Sequence, residues 1–179
     1  MGRVRMRLAG MLVLLAPTLV GAAAVHFHTT ARQELERLQR RDGDQYASAL
    51  YDSPEKWSYV SEKIATGQPE WLQVAKALSP RADGAFAEEL STDLASALLH
   101  SPRNVLQLLK QTSGSRILTS TNVCDAPFPS PGKQWLRQYK WRVIKSVSSI
   151  REPELKKVRN ECLKTLHSVD LSGPASAYE

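Results

Sequence analysis

Residues 133 to 145 read KQWLRQYKWRVIK, which sets Lys133, Arg137, Lys140, Arg142 and Lys145 around Trp141 with no acid among them. Cations interleaved with an aromatic ring suit the recognition of anions and polar surfaces; they supply no carboxylate base and no metal ligand. Projected at about 100° per residue, Leu136, Tyr139, Val143, Val147 and Ile150 gather into one apolar arc that must face a core. Trp141 lies off that arc, with Arg137 four residues before it and Lys145 four after. It is therefore either packed beneath a neighbouring helix or offered to a partner. Arg137, Lys140, Trp141 and Lys145 are the candidate binding residues.

Other chemistry-bearing side chains are scattered. His100 and His167 fall near predicted helix ends, where a dipole contact accounts for them. The stretch VHFH, residues 25–28, would form a square-planar Cu(II) or Ni(II) chelate if processing left His26 third from a new amino terminus. Cleavage one residue later puts His26 second and weakens that chelate, so no metal site is assigned. Glu88 and Glu89 sit near the start of a predicted helix and complement its dipole, while Asp42 and Asp44 flank Gly43 as turn residues. There is no G-x-S-x-G elbow, no glycine-rich phosphate loop and no H-E-x-x-H pair. The sequence thus nominates no catalytic residue and no cofactor.

The elements that must position the basic helix follow from the rest of the chain. Arg3, Arg5 and Arg7, an apolar run from Leu8 to Val20 and Ala22-Ala23-Ala24 make the three-part layout of a secretory signal peptide cleaved after Ala24. An uncleaved inner-membrane anchor is the alternative, since apolar character continues to Val25; Pro17 and Gly21 within that longer stretch argue against a stable span. Removal of residues 1–24 leaves 155 residues, enough for one domain, and lowers the formal charge from +6 to +3. Residues 25–130 carry 11 Lys/Arg against 13 Asp/Glu, whereas residues 131–179 carry 10 against 5, so the charge is polarised along the chain. The modest net charge and exported destination exclude nucleic acid as partner. Cys124 and Cys162 are the only cysteines, and in an oxidising compartment they pair as a disulfide.

Prolines punctuate the domain. Pro54, Pro69, Pro102, Pro131 and Pro153 each precede helical periodicity, and a serine before three of them can accept from the free amides of the first turn. Trp57, Val60 and Ile64 form one buried stripe, ended by Gly67. Trp71, Val74, Ala75 and Leu78 form the next. Asp83 caps a longer helix with Ala87, Leu90, Leu94, Ala97 and Leu98 inward, followed by Val105, Leu106, Leu108 and Leu109. Residues 30–50 are helical with a break near Gly43. The last helix buries Leu155, Val158, Cys162, Leu166 and Val169. Residues 115–124 read as a linker crossing the helices. The expectation is an all-α, irregular bundle of about six to seven short helices, with the pairs between 54 and 110 able to stack as helical hairpins. One disulfide staples it. Residues 25–171 form the domain and 172–179 a flexible tail.

The order Trp57, Ile64, Gly67, Trp71-Leu72, Ala75, Leu78, Leu90 to Leu98, Pro102, Val105-Leu106, Val123-Cys124, Pro127-Phe128 and Cys162 resembles small exported all-helical proteins of proteobacteria that have no assigned activity. The resemblance implies an envelope location and supplies no functional residues. The expected function is that of a periplasmic or secreted, non-enzymatic binding protein: an inhibitor, an immunity factor or an assembly partner of another envelope protein. Two alternatives stand beside it. One is an envelope enzyme with a site assembled from scattered residues; the other is a binder of anionic membrane or glycan surfaces through helix 131–150.

Overall fold

The computed structural model describes residues 27–125, 127–129 and 132–169. The expected signal peptide, its cleavage point, His26 and the tail 172–179 lie outside the described residues. Among those described there are nine α-helices and no strand: α1 (Ala31–Leu38), α2 (Gly43–Tyr51), α3 (Pro54–Ala65), α4 (Pro69–Leu78), α5 (Gly84–His100), α6 (Pro102–Gln111), α7 (Ser120–Cys124), α8 (Lys133–Ser149) and α9 (Lys156–Ser168). No helix among them is long and apolar enough to cross a membrane.

The all-α class stands, with two to three more helices among the described residues than the six to seven the sequence suggested. Residues 30–50 divide into α1 and α2, because the chain folds back at Gly43 so tightly that a Cβ there would lie 2.2 Å from the Leu38 carbonyl oxygen. Within the stretch 115–124 expected to be a plain linker, residues 120–124 close one helical turn, started by the Thr119 hydroxyl accepting from the Asn122 amide. Pro54, Pro69 and Pro102 open α3, α4 and α6 as expected. The serines before them cap differently: neither Ser53 nor Ser101 accepts a first-turn amide, and Ser101 Oγ instead points to the Thr66 carbonyl. Pro153 opens a 3-10 turn that leads into α9. Gly67 ends α3 at φ +71°, where a side chain would also strike Ser101.

Helix α5 is the central post, touching α3, α6, α7 and α8. Its Leu90, Leu94 and Leu98 meet the buried stripes Val60–Ile64 and Val105–Leu106 in a continuous apolar core. Trp57 pairs with Glu89 and Ser61 with Asp93, the same offset of 32 residues each time, so α3 and α5 run parallel. The terminal pair is antiparallel. Lys140 of α8 reaches the Val169 carbonyl, and Arg159 of α9 reaches back to the Ile150 carbonyl.

Cys124 and Cys162 form the disulfide, with Cα atoms 5.4 Å apart and both residues fully buried. It ties α7 to α9 across 38 residues. Closing a loop of that size removes denatured-state entropy worth roughly 4 kcal/mol in the chain-entropy account.

Candidate functional site

The rotation of α8 about its axis decides which side chains face out. Leu136, Tyr139, Val143, Val147 and Ile150 are all buried, as their spacing requires. Tyr139 fixes the rotation, because its hydroxyl donates to the Ala95 carbonyl of α5 at 2.9 Å and burial pushes its phenol well above the usual range. The opposite side is therefore turned outward. Trp141 is 63% exposed, which removes the alternative that it packs beneath a neighbouring helix. Lys145 Nζ sits 5.2 Å from the centre of its ring, a cation–π contact worth about 0.5–1 kcal/mol at an exposed site. Arg137 and Arg142 are exposed on the same helix, which carries no acid along its length.

Of the four candidate binding residues, Arg137, Trp141 and Lys145 share one ridge about 12 Å long, given a rise of 1.5 Å per residue. Lys140 does a different job. Its ammonium donates to the His167 and Val169 carbonyls at 3.4 and 2.8 Å, satisfying the open end of α9. No spacing rule within α8 could reveal that, since it depends on α9 returning antiparallel. Trp135 was not singled out by sequence. It is 45% exposed, stacked on Tyr139 at 5.5 Å and edge-on to Phe128 at 4.8 Å. Its place four residues before Tyr139, at the margin of the apolar arc, was the available signal.

The acids divide by environment. Glu88 and Glu89 lie in the second turn of α5 rather than the first, so the dipole is not what holds them. Glu89 accepts from Trp57 Nε1 and from the Tyr51 hydroxyl. One turn on, Asp93 is 9% exposed, accepts from Ser61 Oγ at 2.8 Å, and leaves Oδ2 without a partner. Burial raises its carboxyl to about 7, opposed by the Ser61 hydrogen bond and aided by the nearby Glu89 charge. The sequence did not mark Asp93 as buried. The sequence signal was the near absence of charge between Leu90 and Leu99. Glu34 is fully buried between Arg37 and Tyr46, whose phenol is pushed up to about 12 chiefly by burial. Asp42 precedes α2 without a side-chain cap, and Asp44 pairs with Arg81. His100 and His167 are exposed in the last turns of α5 and α9.

Among the described residues, the main surface clefts are lined by α4, α5, α6, α7, α9 and the turns between them, and α8 side chains do not line these. Neither Asp93 nor Glu34 lines these clefts. No group of three His, Cys, Asp or Glu side chains among the described residues is arranged to hold a metal. The ridge, being the outer face of a helix, is thus convex and cationic, with one large aromatic at its middle: a surface able to dock a partner.

Comparison of the chain with protein-family models, with curated proteins and with solved structures finds no match.

Proposed function

We propose that this protein is an exported binding protein whose working surface is the outer ridge of α8, Arg137–Trp141–Lys145, and whose partner is the acidic face of another envelope protein. The observation that carries the proposal is the 63% exposure of Trp141 among cations, on a helix whose apolar arc is fully spent on the core. Trp and Arg are the residues on which binding energy concentrates at protein interfaces, and a one-sign surface steers an oppositely charged partner. The convexity of the ridge favours a macromolecule over a small ligand. Export is supported by the layout of residues 1–24, by the disulfide and by the resemblance to exported proteins.

The test pairs a melt with a binding assay. Trp141→Ala with Arg137→Ala should weaken binding to a poly-glutamate probe at least about tenfold, while stability changes by less than about 0.5 kcal/mol. Added salt should weaken the wild type, since screening shortens from about 10 Å at 0.1 M to about 3 Å at 1 M. Undiminished binding by the double variant overturns the proposal. Binding to phosphatidylglycerol vesicles but not to the acidic polypeptide moves the surface to a bilayer and overturns the protein partner.

A further inference from the structure

Between α5 and α7 lies a cleft of about 310 Å³ formed by Ala87, Glu88 and Ser91 of α5, Thr121 and Asn122 of α7, and Asp125 and Pro127 beyond it. Its hydrogen-bonding atoms are nearly all acceptors. Asn122 spends its amide nitrogen on the Arg116 and Ile117 carbonyls, which leaves its oxygen as the free group. Ser91 spends its hydroxyl proton on the Ala87 carbonyl. The carboxylates of Glu88 and Asp125 form no ion pair among the described residues, and no cation lines the cleft. A concave, acceptor-lined, anionic site is matched by N–H donors on a convex mount.

The same chain carries such a mount. The α8 ridge presents Arg137, Arg142 and Lys145 around Trp141 with no acid, and lies in the part of the sequence where cations outnumber acids 10 to 5. The cleft lies in the part where acids outnumber cations 13 to 11. We propose that the α8 ridge of one molecule docks into the Glu88–Asp125 cleft of a second copy, so that the chain associates with itself head to tail. This rests on the assignment of the ridge as the recognition surface. Ridge and cleft are different patches, so the contact is heterologous: a pair keeps one ridge open on one molecule and one cleft open on the other, and association continues beyond the dimer into a ring or a chain. The contact is charge-driven and salt-sensitive.

Sedimentation velocity on the purified protein decides the matter. At about 0.1 mM protein and about 0.02 M salt, species larger than monomer should appear and should dissociate at about 0.5 M salt. Arg137→Glu with Trp141→Ala disables the ridge and keeps the cleft; Glu88→Lys with Asp125→Lys does the reverse. Each variant alone should be monomeric, its association at least about tenfold weaker than wild type. Mixed in equal amounts, they should form a dimer and stop there, because each supplies the surface the other lacks. That mixture also shows that both variants are folded; if either melts early, Arg137→Gln and Glu88→Gln with Asp125→Asn replace them. A wild type that stays monomeric in low salt, or one that associates and is insensitive to both sets of substitutions, overturns the inference. Monomeric wild type together with ridge-dependent binding to poly-glutamate leaves the proposed function standing; loss of that binding as well removes both.

Discussion

Trp57 and Trp141 are the same residue in helices of similar amphipathic design, and the protein uses them in opposite ways. Trp57 is 6% exposed, edge-on to Phe86 and Tyr51, with its indole N–H held by Glu89. Trp141 is 63% exposed and has a lysine over its ring. Helical phase separates them. Trp57 lies three residues before Val60 and seven before Ile64, on the buried stripe. Trp141 falls among Arg137, Lys145 and the glutamines of the opposite side. An exposed acid that accepts the indole N–H accompanies a buried tryptophan here, and cations without acids accompany one left open.

That contrast can be broken by substitution. The largest effect should come from Trp57→Ala, which removes a buried ring and leaves Glu89 without its indole donor. A loss of about 3–5 kcal/mol is expected in a denaturant melt, against almost none for Trp141→Ala; equal losses would erase the distinction. Next is the disulfide. Cys162→Ala should cost about 2–5 kcal/mol, and thiol labelling of the unfolded, unreduced wild type should find no free cysteine.

The smallest effect concerns the acid below Glu89 in the interior seam. Because the Asp93 carboxyl rises from 3.8 to about 7 on folding, the folded state holds that proton more tightly than the unfolded chain. Its contribution is complete below pH 4 and disappears as pH rises through 7. Stability should therefore fall by on the order of 2 kcal/mol between pH 5 and pH 8 on this account. Asp93→Asn should flatten that slope, and a variant with the wild-type pH profile would show that Asp93 is not the group responsible.

Much of the fold was legible because it rests on local rules. Three prolines at first helical positions, the stop at Gly67 and the periodic stripes each involve residues within one or two turns of each other. The disulfide needed only two cysteines and Cys162 on an inward stripe. What could not be read depends on neighbours distant in sequence. Asp93 is buried because α5 is covered from several directions at once, so a single inward stripe understates its interior face. Lys140 is taken by the end of α9. Glu88 and Glu89 acquire separate environments, one on an open cleft and one beneath an indole, through packing that adjacent letters cannot encode. The candidate surface itself was legible, since an acid-free run of cations around an off-arc tryptophan is a pattern of one helix alone; the exposure of that tryptophan was settled only by the packing.

The bridge between Cys124 and Cys162 has a topological consequence. It closes a covalent ring of backbone that contains all of α8. A peptidase that cuts once anywhere between these cysteines, whether before α8 or in the turn after it, opens the ring without dividing the molecule. The ridge stays tethered on one side by the chain and on the other by sulfur, through a joint buried beneath α7 and α9. In a compartment rich in peptidases, the segment carrying the proposed contact cannot be shed by a single nick.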